Sequence, residues 1–188
     1  IGMMNPGNTI TMLDELIEIY KHPKMFKFLH IPVQSGNNDI LKAMNRRYSA
    51  EDFIKIAEAF RKEIPNITIS TDIIIGFPSE TEEQFQDSLM LIEKTEPDIV
   101  NISRYAAREG TIAAKMKQLT ITELKRRAKL MMELHRKIAF ERNQKWVGWQ
   151  GKILIDEKGK LDSWIGRNEC YKPIIVKGRF KLGDELDA

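Results

Sequence analysis

The sequence predicts an α/β fold. Parallel strands joined by helical crossovers, as a layer or part of a barrel, come first, and a small antiparallel β-barrel follows. Three observations carry this. Apolar stretches at residues 25–29, 67–75 and 99–103 alternate with segments whose apolar residues recur at helical spacing. The 67–75 stretch is β-branched without clean alternation, the pattern of a parallel strand covered by helices on both faces. Beyond residue 146 the texture changes to short strand-like runs broken by glycine.

Residues 1–4 read as a strand already under way, ended by Asn5-Pro6-Gly7; with no initiating methionine, the chain is expected to be a fragment. Thr11 is a fair N-cap for a helix with Leu13, Leu16, Ile17 and Tyr20 on one face, closed by Pro23. The strand at 25–29 then runs into His30-Ile31-Pro32-Val33-Gln34-Ser35-Gly36. Pro32 forbids continuation as a central strand, and Ser35-Gly36-Asn37-Asn38 is turn chemistry opening a short helix through Ile40, Leu41 and Met44. Ser49 caps the next helix, with Phe53, Ile56, Ala57, Phe60 and Ile64 at helical spacing.

After Pro65-Asn66 comes the strand at 67–75, interrupted by Asp72, which needs hydrogen-bond partners or a place near the strand's exit. Thr81-Glu82-Glu83-Gln84 is a capping box for a helix that turns Phe85, Ser88, Leu89 and Ile92 inward. The strand at 99–103 is the fourth, too few to close an eight-stranded barrel. Thr120-Ile121-Thr122-Glu123 is a second capping box. It opens a long helix with Met131, Leu134 and Ile138 on one stripe and Lys125, Arg126, Lys129, Arg136, Lys137 and Arg142 opposite. Antiparallel strands are expected at 150–155, 161–167 and 171–177, with Lys158-Gly159 as a hairpin turn and another strand beginning near Gly183. Residues 1–145 are thus expected to form the α/β unit and 146–188 the small barrel, cut short at its end.

A length of 188 residues, 42% hydrophobic and 30% charged, suits one good-sized domain with a small appendage. No apolar run is long enough for a membrane helix, and no signal-like start is present. One cysteine, Cys170, excludes an internal disulfide framework and argues for a reducing, cytoplasmic setting. The net charge of +3 is uneven: residues 1–120 carry 14 Lys+Arg against 17 Asp+Glu, and residues 121–188 carry 16 against 10. A basic C-terminal third fits a nucleic-acid partner, or simply the solvated face of a long helix.

Three segments carry a resemblance: HIPVQSGNNDILKAMNRRY, STDIIIGFPSETEEQF and NISRYAAREGTIAAKM, in that order. They resemble successive signatures of the radical S-adenosylmethionine (radical-SAM) methylthiotransferases that modify tRNA. The opening residues and NECYKPIIV look most like the archaeal and eukaryotic branch, which acts on N6-threonylcarbamoyladenosine beside the anticodon. The resemblance implies part of a radical-SAM (β/α) barrel, residues 1–145, and a small RNA-binding barrel of the TRAM type at 146–188. It also implies S-adenosylmethionine and two [4Fe–4S] clusters in the parent enzyme, methylthiolation at carbon 2 of the adenine, and the tRNA anticodon stem-loop as partner, with no membrane. Such clusters need thiolates, the first in a C-x-x-x-C-x-x-C loop. With Cys170 alone, no metal ligands are expected here, and this polypeptide by itself is expected to be inactive.

For the cofactor, the resemblance points to His30, Gln34, Ser35, Asp72, Gly76, Tyr105 and Arg108. From the residues alone, His30, Gln34 and Ser35 cluster where a strand gives way to a helix, the edge where α/β proteins bind ligands, although a satisfied strand terminus reads equally well. Gly76 offers backbone room. Arg108 suits a carboxylate or phosphate, or else an ion pair with Glu109. Ala106-Ala107 stands where the family has Ser-Pro. No catalytic residue is singled out. Arg167, Lys172, Lys177 and Arg179 are the candidate RNA contacts, with Tyr171 and Trp164 available for stacking if exposed. An unpaired edge at residues 1–4 would favour self-association. Other readings are methylthiolation of N6-isopentenyladenosine, a non-catalytic RNA-binding module, and, more weakly, a metal-dependent lyase using His30 and Asp72.

Overall fold

The computed structural model describes residues 2–188. Its centre is a parallel sheet of three strands, β1 (Phe28–His30), β2 (Thr68–Ile75) and β3 (Ile99–Arg104), in the order β1-β2-β3. Phe28 pairs with Thr68, and Ser70 with Ile99, which sets the register of both ladders. The fourth strand expected at 1–4 does not form: Ile1 lies outside the described residues, and residues 2–4 are irregular. Met4 N–H nevertheless donates to His30 O at 2.9 Å, so part of the outer edge of β1 is occupied.

Two short pieces, α1 (Pro6–Thr9) and a 3₁₀ turn (Ile10–Met12), lead into α2 (Leu13–Lys21). The helical cap, Asn5, falls six residues before the expected cap at Thr11. Asn5 Oδ1 accepts from Gly7 N–H at 2.8 Å and Pro6 occupies the first helical position, a stronger start signal than a lone threonine. Thr11 Oγ1 instead donates to Asn8 O. The chain continues through α3 (Asn38–Ala43), α4 (Ala50–Glu63), α5 (Glu82–Thr95), α6 (Ile112–Lys115) and α7 (Ile121–Gln144). A capping box forms at Thr81, as expected, and at Ser49, expected only as a cap, a second one forms with Asp52. At Thr120 only half of one does. Its Oγ1 accepts from Glu123 N–H, while the Glu123 carboxylate is claimed by Arg126 and Arg127, whose hydrogen bonds hold it down to about 2.

The helices cover one face of the sheet, not both. On β2, Ile69, Thr71, Ile73 and Ile75 are buried against Phe53, Phe60, Phe85 and Met131, while Asp72 and Ile74 stay half-exposed. On β3, Val100 is buried, and Asn101 and Ser103 are exposed. The open face carries His30, Asp72, Asn101 and Ser103, polar groups that a helix would bury only at the cost of unmet hydrogen bonds. Each large aliphatic or aromatic side chain on the covered face contributes on the order of 1.5–3 kcal/mol by leaving water.

After α7 the chain forms β4 (Lys152–Lys158), β5 (Ser163–Arg167), β6 (Pro173–Lys177) and β7 (Glu185–Asp187), an antiparallel sheet in the order β6-β5-β4-β7 that curls into a half-barrel. A bulge between Ile155 and Glu157 sharpens the curl. The β4–β5 turn is longer than Lys158-Gly159: it runs over residues 159–162, with Leu161 and Asp162 at positive φ. This sheet is tied to the lower end of the parallel one. Lys27 N–H donates to Glu169 O at 2.7 Å and Thr68 Oγ1 to Cys170 O at 2.6 Å, and Tyr171 packs on Phe26 and Phe28.

Cys170 is buried at that junction, and burial pushes its thiol up to about 11. Because the thiolate is the reactive form, native protein at pH 8 is expected to resist iodoacetamide while the urea-unfolded chain is fully alkylated. Equal rates in the two states would contradict this placement. Among the described residues no helix is long and apolar enough to cross a membrane.

Candidate cofactor cleft

The upper, C-terminal ends of the parallel strands border a cleft of about 510 Å³. Its shape starts with Pro32, which breaks the β1 ladder; pairing resumes for one residue, Gln34 against Ile73. Gln34 N–H donates to Asp72 O, and Gln34 O accepts from Ile74 N–H. Gln34 sits at φ 74°, a left-handed conformation that costs a non-glycine residue on the order of 1–3 kcal/mol and persists only where neighbours impose it. They do so here. Thr71 Oγ1 donates to Ile31 O and accepts from Val33 N–H, and the buried Tyr48 hydroxyl reaches Pro32 O and Val33 O.

On the open face, Asp72 Oδ1 receives both His30 Nε2 at 3.0 Å and Asn101 Nδ2 at 2.7 Å. The carboxylate is therefore fixed by one oxygen, and among the described residues no hydrogen bond reaches Oδ2. Gln34, Asp72, Phe77, Ser103, Tyr105 and Arg108 line the cleft, with Phe77 and Tyr105 packed edge to face. Arg108 makes no ion pair among the described residues, with Glu109 or otherwise.

Four of the seven residues expected at a cofactor site, Gln34, Asp72, Tyr105 and Arg108, thus share one cleft. His30 stands behind Asp72 as its hydrogen-bond partner. Ser35 is fully buried, its Oγ accepting from Asn37 N–H and lying 3.4 Å from Ser88 Oγ, so it braces the turn. At Gly76 the space a Cβ would need is filled by Leu124 of α7, and this together with its φ of 73° accounts for the glycine; its N–H donates to Glu80 Oε2.

Sequence reasoning missed Asn101, which the β2–β3 register sets opposite Asp72. It also missed Arg104 and Arg46 on the cleft wall; Arg46 Nε is buried without a partner. Arg127 carries no local signal that separates it from its basic neighbours, yet it is buried against Glu80 at 2.8 Å. Arg142, expected in solvent, donates to Asp98 Oδ1 at 3.0 Å.

The four basic residues expected to contact RNA do not form one outer face. Arg167 is bound to Asp156 at 2.6 Å and stacks on Tyr171. Lys172 shares the half-buried side with Ile174 and Val176, while Lys177 and Arg179 are exposed. Ile175, between Ile174 and Val176 on β6, is 72% exposed.

The Radical SAM superfamily model matches residues 1–92. The chain is 48% identical, over 96% of its length, to a "Probable threonylcarbamoyladenosine tRNA methylthiotransferase" of Pyrococcus horikoshii, and 46% identical, over 95%, to the protein of that name in Archaeoglobus fulgidus. It belongs to the radical-SAM methylthiotransferase family. The chain spans 44% and 42% of the length of those two relatives. It is also 38% identical, over 88% of its length, to a "tRNA-2-methylthio-N(6)-dimethylallyladenosine synthase" of Thermotoga petrophila. Among solved structures, coproporphyrinogen III oxidase from Escherichia coli, a radical-SAM enzyme, superposes with a TM-score of 0.57 over 72% of this chain and 31% of that one, at 19% identity, a likeness of fold.

Membership of this family implies S-adenosylmethionine and an iron–sulfur cluster. The cleft suits the former. A carboxylate oxygen with no protein partner matches an ammonium or a hydroxyl pair. The Arg46 Nε without a partner and the free Arg108 match a carboxylate, and Phe77 with Tyr105 offers a wall for a flat ring. For a cluster the described residues do not fit. The one thiol is buried at the far end of the sheet and held protonated, and no three His, Cys, Asp or Glu side chains gather to hold a metal. The His30–Asp72 pair likewise lacks the further ligands a metal-dependent lyase would need.

Proposed function

We propose that this chain supplies the later part of the catalytic domain of a tRNA methylthiotransferase acting on N6-threonylcarbamoyladenosine beside the anticodon. What carries the reading is the near full-chain match to archaeal proteins of that name. S-adenosylmethionine, when bound, supplies the radical and methyl chemistry. The residues here position it: Asp72 offers an acceptor already fixed by His30 and Asn101, Gln34 presents its amide from a rigid bridge, and Arg46 and Arg108 offer cationic partners. With one cysteine, this polypeptide alone holds no cluster and is inactive by this reading; the parent carries two. The reading makes the tRNA anticodon stem-loop the partner, met by Lys177 and Arg179, and the cytoplasm the setting.

The deciding experiment is nucleoside analysis of tRNA from a strain lacking the gene. The methylthio derivative of threonylcarbamoyladenosine should vanish, and return with the intact gene. Loss of the methylthio-isopentenyl nucleoside instead would reassign the substrate. Asp72→Ala in the parent protein is expected to weaken S-adenosylmethionine binding about tenfold or more, the scale of a hydrogen bond to a charged group, with cluster content unchanged. Unaltered binding, read by equilibrium dialysis, would remove Asp72 from the site.

A further inference from the structure

A second cavity lies at the opposite end of the parallel strands, between the end of α7 and the antiparallel sheet. Thr68 and Ile99, the first residues of β2 and β3, belong to its wall; Asp72 is four residues further along β2, roughly 13 Å away at strand spacing. Its volume of about 520 Å³ falls within the range of small-ligand pockets, roughly 300–1,000 Å³. Trp146, Trp149, Tyr171, Lys172 and Ile174 line it, together with Asn168. The two tryptophans meet edge to face at 6.1 Å, and Tyr171 is held by Phe26, Phe28 and Arg167, so the walls are rigid, flat and aromatic.

Two buried donors in these walls have no partner among the described residues: Trp146 Nε1 and Asn168 Nδ2. Asn168 is 1% exposed. Its Oδ1 accepts from both Cys170 N–H and Lys172 N–H, which fixes the amide and leaves its NH₂ unmet. Buried polar groups without partners are uncommon and call for an explanation, and a bound acceptor is one. The surroundings also hold more positive charge than they neutralise. Arg61, Arg142, Lys145 and Lys172 gather about Asp98 and Glu96, with Lys145 over the Trp146 ring. Burial and these like charges push both lysines downward.

Flat walls call for a ring, unmet N–H groups for carbonyl oxygens on it, and surplus cations for an anion beside it. We propose that this cavity captures one keto-bearing nucleobase turned out of an RNA strand, its carbonyl oxygens taken by Trp146 Nε1 and Asn168 Nδ2 and its phosphate by Lys172 and Lys145. The proposal rests on the reading that the protein acts on tRNA. The site is separate from the cofactor cleft and would grip the RNA at a second point. Stacking and hydrogen bonding to a splayed base are the usual means of reading single-stranded RNA.

The test titrates the 188-residue chain with hexauridylate and with an abasic hexamer of the same backbone, followed by calorimetry. Wild-type protein is expected to bind the uridine strand at least about tenfold more tightly, the scale of stacking one base. Asn168→Asp keeps the oxygen that holds Cys170 and Lys172 but sets a carboxylate against the base carbonyl; Trp146→Phe keeps a ring and removes the donor. Each should bring the ratio towards one. Equal affinity of wild-type protein for both strands would overturn the proposal without any substitution, and so would a ratio that survives both variants. Binding here needs neither S-adenosylmethionine nor turnover, so such a failure leaves the nucleoside analysis to judge the methylthiotransferase reading separately.

Discussion

Arg127→Met is expected to destabilise the fold by about 3–5 kcal/mol, the scale of stranding one member of a buried ion pair. Arg127 and Glu80 are almost fully buried. The guanidinium also reaches Glu80 O and Thr81 O and lies over the Phe85 ring, so it holds the entry of α5 against α7. Burial raises the Glu80 carboxyl, and the Arg127 hydrogen bond and charge pull it back down. Without Arg127 the folded-state value climbs further above the unfolded one. A carboxyl raised in this way contributes stability that is complete below its unfolded pKa and lost as pH rises through its folded pKa. The deficit of the variant should therefore be smaller at pH 5 than at pH 7.5. Urea unfolding at the two values checks it, and Glu80→Gln added to Arg127→Met should recover part of the loss by removing the stranded charge. A deficit under 1 kcal/mol, flat with pH, would mean the pair adds nothing.

Gly36→Ala should be the next most damaging change. A Cβ there would fall within the backbone of Asp87 and Ser88 in α5, 2.6 Å from Ser88 Cα, and neither can yield as a flexible side chain would. The turn would have to lift away from the helix, breaking Gly36 N–H to Ser88 Oγ at 2.9 Å and Asn37 Nδ2 to Asp87 Oδ2 at 2.7 Å. Overpacking of this kind costs roughly 1–3 kcal/mol, with about 1 kcal/mol more for each hydrogen bond lost. Together these come to about 3–5 kcal/mol, and for a chain of this size the melting temperature should fall by about 6–20 °C. Gln34 is two residues away, between this turn and the bridge to Ile73 that holds its left-handed backbone, so the cleft should loosen as well. A melting temperature unchanged by the substitution would show that the turn is not clamped to α5.

The helix starts at Ser49 and Thr81 were legible because each box is closed within four residues, and β2 because nine consecutive residues spell a buried strand. The bare half of the sheet was not. Whether a β-branched run is covered on one face or two depends on what packs there, and Asp72 alone hinted at the open side. Gln34, Asp72, Tyr105 and Arg108 could be singled out through the family's signatures, but Asn101 and Arg46 reach the cleft only through register and chain reversal, which no local pattern encodes. Arg127 and Arg142 show the same limit from the other direction. On a helix rich in Lys and Arg, burial of two of them depends on Glu80 and Asp98, each more than forty residues earlier. Ser35 and Gly76 sit inside recognisable motifs for mechanical reasons, one bracing a turn and the other admitting Leu124.

The bond from Thr68 to Cys170 joins residues 102 positions apart in a chain made from one end. At synthesis rates of about 5–20 residues per second, the ribosome needs roughly 5–20 s to cover that gap. Pairing of β1 with β2 can be complete well before the carbonyl that meets the Thr68 hydroxyl exists. For that interval Thr68, Lys27 and the rings of Phe26 and Phe28, which later pack on Tyr171, face water or a chaperone, and the newborn α/β layer is open at its lower end. Slowing translation between the codons for Lys117 and Cys170 should therefore lengthen the exposure of this end in particular, and leave the cofactor cleft at the other end untouched.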